Sequence, residues 1–512
     1  MTSPLPAGPR RTLLTVCAMS ATIMQALDST IANVALPYMQ GSLSASQDQV
    51  NWVLTSYIVA AAIMTAPIAW VADRFGRKKL FIVCAAGFTF ASVLCGSAQN
   101  IEQMVLFRMM QGSFGAALVP LSQAVMLDSY TLAERGSAMA IWGIGVMLGP
   151  IMGPTLGGWL TDQYSWHWVF LINLPIGIFT AIGLMIFMDE TDTAASRPFD
   201  WFGFLTLAVG IGSLQIMLDR GEQLGWFSSA EIVTELVTAI AGFYFFFAHS
   251  LTTDNPFIRF EIFRDRNFVT GLLFMAFIGV ALFGTMALVS PFMQNVIGYP
   301  VTTAGWLLGT RGIGTLLSMV VISRLLRFIE ARWLLLFGIV LMAGTLYEME
   351  LFTDQTSATT VAVVSVFQGI AIGFVFVPIS TVAFLTIPGR LRIEGTALLT
   401  LIRNIFSSIG ISVVIAQLTN TTTVMHARLM ENVTPFNNAM QAPDVAAMMN
   451  MATDRGRALM DLIVTQQAVI IAYANDYMLM LILALAVMPF VLMIGSSRAV
   501  QQQRPGAGHA MD

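Results

Sequence analysis

The chain has 512 residues, 56% of them hydrophobic and only 11% charged, with a formal net charge of -4. Soluble domains carry about a quarter charged residues, so this composition points to a polytopic membrane protein, and nothing in it suggests a nucleic-acid partner. The three cysteines, Cys17, Cys84 and Cys95, lie inside apolar segments at no metal-ligand spacing, so neither a disulfide framework nor a metal site is expected.

In chain order, fourteen apolar runs are long enough to cross a bilayer, which takes roughly 17 to 25 residues. They fall at about 13–36, 50–70, 80–98, 103–127, 137–160, 168–188, 200–218, 229–249, 268–292, 302–323, 333–352, 359–382, 395–418 and 477–497. The first follows a basic flank but continues without a small-residue cleavage site, so it reads as a retained signal-anchor. With the N-terminus inside, 18 of the 25 lysines and arginines fall on the cytoplasmic side, Arg108, Arg311 and Arg403 stay within spans, and only Arg220, Arg428, Arg455 and Arg457 fall on the far side. The positive-inside rule therefore predicts that both termini are cytoplasmic.

The first span contains "MQALDSTIANVALP" (24–37), with Asp28 in an apolar setting. Arg108 lies within the fourth span. A charge at mid-span costs about 2.5 to 3.5 kcal/mol on insertion scales, and such residues default to functional candidates. The plainer readings are local hydrogen bonding by "DST" and an interhelical post at Arg108. Burial disfavours a charged carboxyl and a neighbouring arginine favours it. An acid reached by water from alternate sides can take up a proton on one face and release it on the other. Arginine does not give up its proton, so Asp28 is the titrating group and Arg108 the tuning charge. Arg311 and Arg403 are further buried cations, open to structural and functional readings alike.

Between spans 2 and 3, "AWVADRFGRKKL" (69–80) reads as a tight basic loop. Within it, Asp73 beside Arg74 and Arg77, with Gly76 and Lys78, suggests a charge latch that holds one conformer. In span 5, Gly145, Gly149, Gly153 and Gly157 recur every four residues, with Pro150 and Pro154 at the same interval. Such a stripe admits a close neighbour helix and favours a bend, although ordinary small-residue packing also produces it.

The chain resembles itself. "QGSFGAALVPLS" (111–122) followed by "ERGSAMA" matches "QGIAIGFVFVPIS" (368–380) followed by "IEGTALL", offset by about 257 residues. The expected fold is an all-α polytopic membrane protein of two parallel six-helix bundles plus two inserted helices, fourteen transmembrane helices in all. Its units are a first bundle (1–198), a two-span insertion (199–262) and a second bundle (263–512). The one long hydrophilic connection, 419–476, lies on the far side. Met449, Ala452, Gly456, Leu459 and Ile463 give it helical spacing, as an amphipathic helix on the outer rim or as a docking surface.

Together these motifs resemble the major facilitator superfamily, and within it the fourteen-span drug:proton antiporters. "DRFGRKK" is similar to the loop motif, "RMMQGSFGAA" with Arg108 and Gln111 to the fourth-span motif, "GVMLGPIMGPTLGG" to the antiporter motif, and "LDSTIANVALP" to the first-span motif. "GSLQIMLDRGEQLGWFSS" (212–229) and "NVTPFNNAMQ" (432–441) resemble the EmrB subgroup, the inner-membrane pumps of tripartite efflux systems. Ala69 replaces the loop motif's leading glycine, and Arg311 is not shared by every relative. The resemblance implies export of hydrophobic or amphipathic drug-like compounds in exchange for protons, with no cofactor and the proton gradient as energy source. It also implies a bacterial inner-membrane location, and partnership with a periplasmic adaptor (membrane fusion) protein and an outer-membrane channel. A nutrient symporter on the same fold is disfavoured by the doubled Gly-Pro. A membrane enzyme is disfavoured by the scatter of the four histidines.

Overall fold

In a hydrocarbon phase each backbone N–H and C=O must be satisfied within its own segment, which leaves the apolar runs no option but helix. The computed structural model describes residues 8–190, 198–434 and 453–494. Its helices are α1 (Pro9–Ser42), α2 (Gln47–Thr65), α3 (Ile68–Phe75), α4 (Arg77–Cys95), α5 (Ile101–Gly115), α6 (Leu118–Ser129), α7 (Arg135–Gln163), α8 (Trp168–Leu171) and α9 (Asn173–Phe187). They continue as α10 (Trp201–Arg220), α11 (Ala230–Thr252), α12 (Arg266–Pro291), α13 (Val301–Leu325), α14 (Ala331–Glu350), α15 (Ala358–Val382), α16 (Arg392–Glu431) and α17 (Asp454–Val487). Among the described residues thirteen helical runs are long and apolar enough to cross a membrane, or fourteen with the bent pair α2–α3 taken as one span. The chain is a multi-pass, all-helical membrane protein.

Side-chain caps mark where these runs leave the apolar phase. Ser46 and Gln49 form a reciprocal capping box ahead of α2. Asn100, Asp200, Asp265, Ser357 and Thr453 each accept a backbone N–H at the start of α5, α10, α12, α15 and α17. Helices α1 to α9 pack chiefly on one another, with α1 against α7 and α9, and α5 against α2 and α4. Likewise α13 packs on α15, α12 on α16, and α14 on α15 and α17, while α7 meets α13 across the two groups. The inserted α10 and α11 pair with each other. Outward, α11 leaves Val237, Ile240, Tyr244 and Phe245 exposed, as a lipid-facing helix does.

Three expectations change. The stretch 69–80 is not a loop. Helix α3 carries Asp73 and Arg74, and α4 begins at Arg77. Only Gly76 joins them, at φ 91, a conformation open to glycine and strained for other residues. The second span is likewise broken at Ala66–Pro67, where α3 turns by 57°.

The third change concerns 419–476. No separate rim helix lies there among the described residues, and Met449 and Ala452 lie outside them. Instead α16 runs 40 residues without a break and α17 runs 34. At about 1.5 Å per residue these are roughly 60 and 51 Å long, against a hydrocarbon core of about 30 Å. The two helices form an antiparallel hairpin that projects from the end opposite the basic connections. Gly456, Met460 and Val464 are its buried stripe. Leu459 and Ile463, expected on that stripe, are half-buried. His426 Nε2 and Asp461 Oδ1 join the two helices at 3.0 Å. The last span therefore begins earlier than 477, and Asp476 becomes a buried residue of α17.

Candidate functional site

Asp28 sits on α1 and is fully buried, as are Arg108 and Gln111 on α5. Arg108 Nη1 donates to Asp28 Oδ2 at 2.7 Å and to Gln111 Oε1 at 2.8 Å, and its Nε donates to the Val53 carbonyl at 3.0 Å. Gln111 Nε2 donates to the other carboxyl oxygen, Oδ1, at 2.7 Å. Asn173 at the start of α9 is the carboxyl's third donor, reaching the same Oδ1 at 3.0 Å. Ser92 on α4 accepts from both amides, at 3.0 Å from Gln111 and 2.9 Å from Asn173. The Tyr57 ring lies 4.1 Å from the Arg108 guanidinium carbon and covers its face. All three groups facing the carboxyl are N–H donors, which suits an acceptor-only carboxylate. The local reading, in which "DST" caps its own backbone, does not describe Asp28. Ser29 and Thr30 do bond backward to the Ala26 carbonyl.

Sequence reading missed Asn173, Ser92 and Tyr57. Neutral polar side chains are common in apolar runs, and the only signal was that each interrupts a hydrophobic segment.

The span 5 stripe faces the helix that carries Asp28. A Cβ added at Gly149 would stand 2.2 Å from the Ala26 carbonyl carbon, and one at Gly153 would stand 2.1 Å from Thr30 Oγ1. At Gly157 it would meet Ile31 at 2.9 Å, and at Gly145 the Met19 side chain at 3.1 Å. Thr30 Oγ1 also donates to the Gly149 carbonyl at 3.0 Å. The glycines thus let α7 touch the backbone of α1 over the turn that precedes Asp28 and the turn that follows it. The side chains of Pro150 and Pro154 lie outside the described residues.

The repeated Gln-Gly dipeptide does the same work twice. At Gly112 a Cβ would lie 2.4 Å from the Tyr57 carbonyl oxygen, so α2 reaches α5 beside Gln111. At Gly369 it would lie 1.9 Å from the Arg311 carbonyl oxygen, so α13 reaches α15 beside Gln368. Gln368 Oε1 accepts from Arg311, as Gln111 Oε1 accepts from Arg108. The arginine comes from the same helix in the first case and from a neighbour in the second. Arg403 on α16 is also buried and reaches Asn404 Oδ1 at 3.4 Å.

At the basic end the latch is longer-ranged than the local one expected. Asp73 pairs with Arg259, 3.1 Å away, in the connection to the second group of helices. Arg77 pairs with Asp128 at 2.6 Å, and Asp128 also takes Arg392 at the start of α16. Lys78 is the second residue of α4 and makes no ion pair among the described residues. One acid therefore ties both groups of helices together at this end. Asp128→Asn is expected to loosen that closure. A thiol probe should label a cysteine placed in this gap several-fold faster in the variant; unchanged labelling would remove the latch role.

A family model described as Major Facilitator Superfamily matches residues 18–411. The chain belongs to the major facilitator superfamily. It is 36% identical over 437 residues to the multidrug export protein EmrB of Escherichia coli (strain K12), with 85% of each chain covered. Its identity to the fatty acid resistance protein FarB of Neisseria gonorrhoeae is 33%, over 92% of this chain and 93% of that one. These relatives place the transporter in an EmrB-like subgroup and make it a transport protein rather than an enzyme. Two solved structures share its fold. One is a bacterial homologue of the human lysosomal transporter Spinster (TM-score 0.55, 19% identity, 98% of this chain and 100% of that one). The other is the human organic anion transporter TETRAN (TM-score 0.58, 12% identity, 93% and 100%).

Proposed function

We propose that this facilitator is a multidrug exporter of the bacterial inner membrane that exchanges hydrophobic or amphipathic drugs for protons by alternating access. The observation that carries the reading is the buried carboxylate of Asp28, held by Arg108, Gln111 and Asn173, on the helix, α1, that packs against the glycine stripe of α7. Protonation turns an acceptor-only group into one that also donates. A protonated Asp28 cannot keep three N–H donors, so the guanidinium is released toward the Tyr57 face and the α1–α5 contact weakens. Taking up the proton at one side and losing it at the other then ties proton movement to which side is open. The Asp128 bridge to Arg77 and Arg392 closes the basic end, which the positive-inside rule makes cytoplasmic along with both termini.

No cofactor is needed, because the proton gradient supplies the energy. The experiment is a drug and dye transport screen in inverted vesicles under an imposed pH gradient. Drug accumulation that follows the gradient and collapses with an uncoupler is the expected result. Accumulation indifferent to the gradient would overturn the coupling.

The α16–α17 hairpin extends the proposal to a tripartite system, in which a periplasmic adaptor docks on the projecting helices and leads to an outer-membrane channel. Replacing residues 424–461 by a short Gly/Ser linker removes the projection and leaves Asp476 and the membrane part of both helices in place. Transport in isolated vesicles should persist while resistance disappears in cells with an outer membrane. If resistance survives, docking lies elsewhere.

A further inference from the structure

The second group of helices contains an arginine whose charge the protein does not answer. Arg311 on α13 is only 3% exposed. One edge of its guanidinium is fixed, with Nη2 donating to Thr285 Oγ1 at 2.9 Å and to Gln368 Oε1. The other edge, Nε and Nη1, is buried without a hydrogen-bond partner. Among the described residues Arg311 makes no ion pair. Arg108 is the contrast, with Nε and Nη1 both occupied and a carboxylate at 2.7 Å.

The surroundings of Arg311 are apolar. It lines a cavity of about 10 Å³, room for roughly one water molecule. Met147 and Ile151 of α7, Leu282 and Met286 of α12, and Leu308 of α13 line this cavity, with Thr315 the one other polar residue beside it. It lies where the two groups of helices meet, so parting them opens it. An unpaired charge in such a place is costly, and an incoming anion that accepts from both free N–H groups offsets the cost. The nearby alternative is Asp476 on α17, also fully buried. Its two carboxyl oxygens and the Tyr477 hydroxyl have no hydrogen-bond partner, and it does not pair with Arg311.

We infer that Arg311 is an anion subsite of the transport pathway, taking the carboxylate of an amphipathic organic acid on Nε and Nη1 while the apolar body rests on the methionine- and leucine-lined wall. This rests on the drug-export reading and narrows its substrate class. The guanidinium is a binding group that stays charged throughout, so the subsite selects anions without itself carrying protons.

The test uses the purified full chain in nanodiscs and a matched pair of probes, an arylalkyl carboxylic acid and its carboxamide. The readout is the ratio of their dissociation constants on one protein, so that a loss of active protein cancels. Wild type should prefer the carboxylate by on the order of 10- to 100-fold, the range of one charge-assisted contact. Arg311→Gln should bring the ratio close to one, and Arg311→Lys should leave an intermediate ratio, because a point charge replaces the fork. A wild-type ratio near one, or a preference that survives Arg311→Gln, overturns the assignment. If Arg311→Gln does not insert, Arg311→Lys decides, since an unchanged ratio in it overturns the subsite and a reduced ratio supports it. Asp476→Asn separates structural charge balance from ligand binding. If Arg311 only balances Asp476, that change shifts the ratio as much as Arg311→Gln, and the subsite is refuted. Because binding is measured without a gradient, a failure of drug export leaves this result standing, and a failure here leaves export untouched.

Discussion

Asp28→Asn is expected to insert and fold but to lose pH-gradient-driven efflux by on the order of 100-fold or more. The side chain keeps its size and loses its charge. Its single amide oxygen can accept from at most two of the three donors, Arg108, Gln111 and Asn173, and its own NH2 then faces the remaining one. Arg108, with no exposure to solvent, is left without a counter-ion. Breaking one partner of a buried pair costs about 3–5 kcal/mol, which matches a loss of that size and predicts a lower melting temperature as well. The fourteen-span framework rests on apolar packing and backbone hydrogen bonds that the change does not touch. The check is drug efflux in inverted vesicles, normalised to the amount of folded protein. Undiminished efflux by the variant would remove Asp28 from the coupling.

The second large effect is expected at Gly149, an uncharged position that packs on Ala26, two residues before Asp28. Gly149→Ala puts a methyl group 2.2 Å from the Ala26 carbonyl carbon and 2.5 Å from the Ala26 Cβ. The obstacle is backbone, so no side-chain rotation relieves it and α1 and α7 must separate. Overpacking of this kind costs about 1–3 kcal/mol. The displaced turn of α1 leads directly to Asp28, so the cost falls on the geometry of the Arg108 pair. Transport is expected to drop about 10- to 100-fold, taking roughly 1.4 kcal/mol per factor of ten. Gly158→Ala is the control on the same helix, where the added carbon meets only Val34 Cγ1 at 3.8 Å, an ordinary contact. It should stay within about twofold of wild type, as substitutions without a packing conflict do. Equal activity in the two variants would mean that the stripe is incidental.

What was legible in the sequence follows from what is rare in an apolar chain. A charge within a hydrophobic run is conspicuous, so Asp28, Arg108, Arg311 and Arg403 stood out, and a four-residue glycine period identified α7 as a close-packing helix. Partners were harder to read because they depend on crossing points. Nothing in the sequence around Asn173, Ser92 or Val53 says that α9, α4 and α2 converge on the hydrogen-bonded group of Asp28, Arg108 and Gln111. The latch at Asp73 shows the same limit. Proximity in sequence suggested Arg74 and Arg77, while the fold brings Arg259 to Asp73 and sends Arg77 and Arg392 to Asp128.

Asp476 was hidden by a boundary. By hydropathy the hydrophilic connection ends at residue 476, which places this acid among solvated residues. The unbroken helix Asp454–Val487 instead carries it into the membrane part, fully buried. Hydropathy finds the apolar core of a span, but it cannot see that a helix continues past that core into water, because there the sequence is free to be polar.

The central claim is that drug and proton exchange through Asp28, and a proton count tests it most directly. Purified transporter in weakly buffered detergent solution is mixed with drug at a matched starting pH, and a pH-sensitive dye follows proton release. Wild type should release protons in proportion to the drug bound, and Asp28→Asn, at matched drug occupancy, should release none. Equal release from both proteins, or none from wild type at saturating drug, would contradict the account.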